Sequence, residues 1–333
     1  MAAKKNILLQ VLKYVLLFAA AALLVYLAFR KVDWKVFLEG LKQTRWFWVV
    51  LFSLFSILAL VGRAVRWKEL LLPFDDEIKF LKVWDADNVG NLASAALPGT
   101  GEILRCGYMS SKKIRFDKTF GTMLCERVWD FIAIVVLIGV ALTLQWSRFG
   151  GYFKENIIAP LVSAGIWWIL LAVVVAAAIF IVLMFRLKDR YNFCCKVAES
   201  ISRLWSGIMA FNKSKNKLLI ALMTFFIWFM YVLMCWSIIK AMPALDGMNL
   251  ADAAFLSLVG NIASVVPVPG GVGAYHYLVA AAVGLYGHSW DTGILFATLN
   301  HETHALLIIF LGIISYVNMV RKSKVKRTDV NEQ

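Results

Sequence analysis

Several ionisable residues stand inside strongly apolar sequence, and their spacings limit the chemistry open to them. Glu102 and Arg105 lie three residues apart, so on a helix they share a face. Glu126 and Arg127 are adjacent and point about 100° apart, whereas Arg127 and Asp130 again share a face. An ionisable group at membrane depth is costly and turns toward a partner or a polar cavity. Two uses follow for this set. A guanidinium held by carboxylates presents a planar fork of donors to a phosphate. Alternatively, arginines and carboxylates neutralise one another in a buried cluster that staples neighbouring segments. The two uses are compatible.

A second set is built on histidine. His276, His301 and His304 are three of the four histidines in the chain, and His301 and His304 share a helix face beside Glu302. Imidazole changes charge near neutral pH, which makes His301, Glu302 and His304 candidates for carrying a proton; hydrogen-bonded packing is the alternative. His-Glu-Thr-His at 301–304 is one residue short of the H-E-x-x-H spacing that aligns two zinc ligands with a catalytic Glu, so no metal is expected. The five cysteines show no metal or redox spacing, and Cys194 and Cys195 are adjacent. No P-loop is present and no cofactor is expected. Asp85, Asn88 and Asn91 step by three, and Asn261 repeats Asn91; these either line a cavity or serve carbonyls freed at broken turns.

Such residues need elements to hold them, and the sequence writes one element twice. VGNLASAALPGTGE at 89–102 and VGNIASVVPVPGGVGA at 259–274 agree in five of their first six positions, and both reach Pro-Gly with a further glycine. An internal repeat organises the whole fold. The chain is 61% hydrophobic, above the roughly 45–50% of soluble domains. Apolar runs at about 7–29, 46–62, 128–146, 160–185, 218–240 and 292–319 approach or exceed the ~20 helical residues that cross a bilayer. The first ends in Arg30-Lys31 with no small-residue cleavage site, which reads as a retained span. Two further apolar segments are interrupted. Residues 78–111 break at Pro98-Gly99-Thr100-Gly101, and 251–289 break at Pro267-Val268-Pro269-Gly270-Gly271, just before Gly273. Proline removes a helical hydrogen bond and glycine permits reversal, so each is predicted to be a helical hairpin.

Charge orients these elements. The formal net charge is +14, with eight Lys/Arg in 186–217, five in 105–118 and five in 321–327. Cytoplasmic loops concentrate Lys and Arg, which places these segments and both termini inside. The loop 30–45, with five Lys/Arg, falls outside against that rule. Anionic headgroups attract juxtamembrane basic residues, so membrane lipids rather than nucleic acid are the expected partners. Leu187, Tyr191, Cys194, Ala198, Ile201, Trp205 and Ile208 recur at three or four, predicting an amphipathic inner-surface helix within about 186–211. Counting sides from the N-terminus, the first hairpin enters and leaves from inside and the second from outside. The chain thus reads as a single domain over 1–320, with repeat one at about 46–146, repeat two of opposite orientation at about 218–319, and a basic cytoplasmic tail at 321–333. Inverted repeats with Gly/Pro-broken segments at matching positions mark transporter sites near the bilayer midplane.

N-x-x-x-x-x-x-PGT-GE-x-x-R from Asn91, ER-x-x-D at Glu126, Arg127 and Asp130, and PVPGGVGAYH resemble the lysylphosphatidylglycerol-synthase transmembrane-region family over roughly 7–320. That family includes the flippase portion of the multiple peptide resistance factor and many stand-alone membrane proteins. The resemblance implies a flippase-like fold and lipid translocation. Members joined to a soluble aminoacyl-transferase domain also make lysyl-phosphatidylglycerol; 333 residues leave no room for that domain, so the synthase activity is not expected. Two positions depart from the pattern. Members commonly carry Glu where His276 stands, and often an Arg in the region of Asn300-His301-Glu302-Thr303-His304. Substrate or coupling is therefore expected to differ from better-known relatives.

The expected fold is an all-α integral membrane protein of the cytoplasmic (inner) membrane, with six transmembrane helices and two oppositely oriented re-entrant helical hairpins. The expected function is a flippase or scramblase for an anionic or modified phospholipid or other lipid-linked headgroup. Asn91, Glu102, Arg105, Glu126, Arg127, Asp130, Asn261 and His276 would face the headgroup, and Pro98, Gly99, Gly101, Pro269, Gly270, Gly271 and Gly273 would form the re-entrant turns. Two other readings are a membrane-embedded lipid-modifying enzyme, using Glu102, Glu126 and the histidines as acid–base groups, and a non-transporting lipid-binding partner of such an enzyme. A homo-oligomer is compatible with either.

Overall fold

The computed structural model describes residues 18–331 apart from 112, 156–165, 189, 265 and 267. The start of the first expected span (7–17), part of the fourth (160–165) and Pro267 lie outside the described residues. The described residues form helices and turns, with no strand among them. Helix α1 (Phe18–Phe29) leads into α2 (Trp34–Lys42), where the Asp33 carboxylate accepts from the Lys35 N–H as an N-cap. The segment 30–45, read above as a loop, thus contains a helix. The chain continues as α3 (Trp46–Leu71), the pair α4 (Phe80–Ala96) and α5 (Thr100–Met109), the long α6 (Phe116–Phe153), α7 (Ile166–Leu187), α8 (Asn192–Ile208) and the short α9 (Ala210–Lys213). The earlier order then recurs as α10 (Lys217–Ala241), the pair α11 (Leu250–Ala263) and α12 (Ala274–Gly284), and the long α13 (Trp290–Asn331). Four stretches are long and apolar enough to cross a membrane: α3, Phe116–Trp146 of α6, α10, and Trp290–Lys322 of α13. Helix α7 adds 22 residues without a charge before Arg186.

Helices α3 and α10 pack along each other at the centre. They run in opposite directions. The Arg45 N–H, before α3, donates to the Ala241 carbonyl at the end of α10, and Glu69 near the end of α3 accepts from Asn216 just before α10. Each end of the pair has its own core. Phe52, Ile238, Phe255, Val279 and Phe296 gather at one end, and Trp67, Leu70, Met109, Ile114 and Ile220 at the other.

This antiparallel pair decides how the hairpins lie. Helix α4 follows the end of α3 and α11 follows the end of α10, so the hairpins enter from opposite ends of the pair. In the first, Leu97 is extended and Gly99 turns the chain at φ 78°. In the second, Gly270, Gly271 and Gly273 have φ of 62°, 73° and 85°, a region that glycine occupies without a Cβ penalty. Gly273 has a second duty, since a Cβ there would meet the backbone of Leu24 and Val25 in α1. The tips meet: the turn Pro269–Gly271 packs on α4, with the Ala95 carbonyl 3.5 Å from where a Gly270 Cβ would stand.

The remaining contacts fix the two ends. Asp291 before the main body of α13 accepts from the Asp33 N–H, while Lys322 reaches Asp85 in α4 at 2.9 Å. The segments 30–45, 241–250 and 285–291 therefore share one end, and the starts of α4 and α10 share the other with Lys322. At the first end Arg45 and Asp246 form a forked pair, both contacts 2.7 Å. The hydrogen bond from Arg45 holds the Asp246 carboxyl below the ordinary aspartate range. That contact contributes above about pH 4 and is lost only as pH falls through the lowered value. Helix α8 crosses α6 where Gly121 and Gly207 bring the backbones together, and Arg203 bonds Asp117 there. Of the expected apolar stripe, Tyr191 just before α8 and Trp205 within it are exposed, as is Phe193, whereas Cys194 and Ala198 are buried, so the stripe is divided between protein and surface.

The hairpin arms of α4 and α5 touch through glycine, and a Cβ on Gly101 would overlap the Gly90 carbonyl. Gly101→Ala is expected to destabilise the protein by about 1–3 kcal/mol through overpacking. Gly107→Ala, in the same helix with open space around it, is expected to be neutral or slightly stabilising. Thermal unfolding of both variants in detergent checks the pair.

Candidate functional site

Arg105 of α5 is the most heavily engaged side chain in the molecule's polar interior. Its Nη1 donates to Asp87 Oδ1 of α4 at 2.6 Å, its Nη2 to Glu126 Oε2 of α6 at 2.8 Å, and its Nε to Glu102 Oε2 at 2.6 Å. The guanidinium lies 4.4 Å from the ring centroid of Trp67 in α3, which is itself anchored by Nε1–H donation to Thr122 Oγ1. Gly90 makes room for this side chain, since a Cβ there would come within 3.2 Å of Arg105 Cβ. Arg66 of α3 is the second anchor. It donates through Nη1 to Asp130 Oδ1 at 2.7 Å and to Thr224 Oγ1 of α10 at 3.2 Å, and its Nε faces Glu126 Oε1 at 3.6 Å. Glu126, 0% exposed, is thereby shared between two arginines from different helices.

Around this buried part runs a looser rim. Arg127 is 45% exposed and stands 3.7 Å from Glu102 and 3.5 Å from Asp130, too far for strong pairing. Glu102 is 31% exposed at the first hairpin tip. Arg63, one turn before Arg66, is half-buried. It lies within Coulombic range of Tyr231 of α10 and of Asp87, Glu102, Glu126, Asp130 and His304, yet makes no ion pair or hydrogen bond with any described residue. Four arginines and four carboxylates make the group neutral, and Arg63 and Arg127 are the cations it leaves weakly engaged.

The second hairpin carries the histidines. His301 of α13 bonds through Nε2 to the Gly270 carbonyl at 2.8 Å and sets Nδ1 2.9 Å from Glu302 Oε1. His276 of α12 accepts the Gly273 N–H at Nδ1 (3.4 Å) and turns Nε2 toward Glu302 Oε1 at 3.6 Å. Tyr275 lies against His301, and Phe29 of α1 against His276. His304 is turned elsewhere, its Nδ1 2.7 Å from the Ser56 hydroxyl of α3. His276, His301 and Glu302 bring one potential ligand atom each within 4.8 Å of one another.

Glu102, Arg105, Glu126, Arg127 and Asp130 are gathered as one group, and His276, His301 and Glu302 as another. The amides join neither group by a hydrogen bond among the described residues. Asn261 donates to the Ser257 carbonyl and Asn88 to that of Trp84, each within its own helix, while Asn91 Nδ2 is buried without a partner. Sequence reasoning missed Arg63, Arg66 and Asp87. Arg63 and Arg66 share a face at i,i+3, but they follow the apolar run that ends at 62, whereas α3 runs on to Leu71. Asp87 lay between the residues of the three-residue stripe.

Opposed hairpins meeting tip to tip, beside a buried group of ion pairs among apolar helices, define a polytopic membrane protein with a polar interior. Residues 10–312 match the family described as Lysylphosphatidylglycerol synthase TM region, and the chain belongs to that family. No curated protein and no solved structure matches the chain.

Arg105→Gln strands Glu126 and Asp87 in an apolar interior, and a loss of about 3–5 kcal/mol is expected. Arg127→Gln removes only rim contacts and is expected to cost at most about 1 kcal/mol. Monodispersity and thermal unfolding in detergent distinguish the two.

Proposed function

We propose that this chain moves a lipid headgroup across the membrane between its two hairpin tips, as a flippase or scramblase of the cytoplasmic membrane. The observation that carries this reading is the meeting of Gly270 and Ala95 from hairpins that enter at opposite ends of α3 and α10. Each hairpin then closes the route from one face, as in transporters built from inverted repeats. Non-helical backbone at membrane depth is tolerated only where protein or a water-filled cavity surrounds it. The charges left partly exposed beside the tips are Glu102, Arg127, Arg63 and Glu302. Two weakly engaged guanidinium groups suit the phosphodiester of a phospholipid, because each offers a planar fork to paired oxygens. Arg105 and Arg66 are occupied by carboxylates and serve as the scaffold. Membership of a membrane lipid-related family supports the same substrate class. In this reading the basic end, with the starts of α4 and α10, faces the cytoplasm.

Reconstitution in liposomes with a panel of labelled phospholipids tests the activity. Faster leaflet exchange than in protein-free liposomes is expected for at least one headgroup class. A hydrogen bond to a charged group contributes about 1.5–3 kcal/mol, so Arg127→Gln should slow exchange about ten- to hundredfold while staying folded. Wild-type rates in a folded Arg127→Gln protein would remove its headgroup role, and no exchange of any lipid would remove the transport reading. Orientation has its own check. Asp76→Cys and Gly247→Cys, exposed ahead of the two hairpins, should react with an impermeant thiol reagent from opposite faces.

A further inference from the structure

The hydrogen-bond inventory around His301 does not close with a neutral imidazole and an ionised Glu302. A carbonyl oxygen only accepts, so His301 Nε2 must carry a hydrogen and donate it to the Gly270 carbonyl at 2.8 Å. A neutral ring has no second N–H. Its Nδ1 would then turn a lone pair toward the Glu302 carboxylate oxygen 2.9 Å away. Two acceptors at that distance repel unless a proton lies between them. His276 does not supply it. With Nδ1 accepting from the Gly273 N–H, its own hydrogen sits on Nε2, 3.6 Å from Glu302.

We infer that His301 and Glu302 bind one exchangeable proton between Nδ1 and Oε1, and that this proton is the coupling ion of the transport cycle. The inference rests on the transport reading above and adds its energy source. With the proton bound, the pair is neutral and His301 holds both the hairpin tip and Glu302. Glu302 is 44% exposed, so the protein does not seal its carboxylate in. On its release the pair carries one negative charge. One N–H then faces two acceptors, and either the Gly270 carbonyl or Glu302 must be given up. Loss at Gly270 frees the tip that closes on Ala95 of the first hairpin. Proton release is in this way tied to the contact between the hairpins.

The groups around the pair leave this assignment standing. On α12 they are His276 and Tyr275, with Cys235 of α10 behind Tyr275. On α3 they are Arg63 and Ser56, the latter bonded to His304. On α4, Asp87 and Asp85 are held by Arg105 and Lys322. At the far end of α13, Asp291 accepts from the Asp33 N–H, and α1 presents Phe29. The first repeat offers a contrast. Its Arg105–Glu126 contact joins α5 to α6 through a guanidinium, a group that does not deprotonate in proteins, where the second repeat uses an imidazole.

Two measurements on the full-length protein test the proposal. In nanodiscs containing 15N-histidine-labelled protein, His301 should show two protonated ring nitrogens, one of which loses its proton as pH is raised. His301→Gln identifies its signal, and Glu302→Gln serves if that variant does not fold. In liposomes, a gradient of one pH unit should bias the steady-state leaflet ratio of a transported lipid by up to about tenfold for one proton per lipid. His301→Gln should abolish the bias, and His288→Gln, in the α12–α13 connection, should retain it. A singly protonated His301 at every pH, or lipid exchange indifferent to the gradient, overturns the proposal while leaving transport intact. A titrating His301 in a protein that moves no lipid keeps the proton site but overturns its coupling role, together with the transport reading.

Discussion

The rest of the polar interior depends on the burial of one carboxylate, Glu126, between Arg105 and Arg66. Burying an ion among apolar helices costs several kcal/mol unless its charge and lone pairs are met. Arg105 meets it from α5 and brings Asp87 of α4 and Glu102 with it; Arg66 meets it from α3 and brings Asp130 and Thr224 of α10. Five helices are thus committed to one arrangement. None of these residues is easily exchanged singly, because each removal leaves a stranded charge. Two of the five helices are the arms of a hairpin with a short, glycine-made tip, which this network holds against the spans.

The two repeats share an architecture and differ in chemistry. In the first, the helix after the hairpin contacts it through a guanidinium and a carboxylate. In the second, the corresponding helix contacts its hairpin through His301 and Glu302, and that contact ends on the tip carbonyl of Gly270. The halves therefore differ in the groups that join hairpin to span, ion pairs in one and an imidazole with a carboxylate in the other. Gly273 reinforces this division. Its positive φ and the close approach of α1 backbone fix the base of α12, a restraint without a counterpart at Gly99, where a Cβ would meet nothing within 4 Å.

What the sequence by itself determined follows from local physics. Helical length and apolar composition are properties of contiguous residues, so four spans and both broken segments are legible in it; α4, α5 and α12 fall within the expected limits and α11 starts one residue before them. The i,i+3 pairs Glu102–Arg105 and Arg127–Asp130 are local too, and both occur. Tertiary structure decided whatever depended on which helix packs beside which. Arg66 meets Glu126 across 60 residues, and Arg105 meets Asp87 across 18. No periodicity encodes either contact, because the partners come together only when α3, α4, α5 and α6 assemble. The same holds for His301 and His304. One shared helix face made them look alike, yet neighbours from different repeats give one of them the hairpin tip and the other Ser56 of α3.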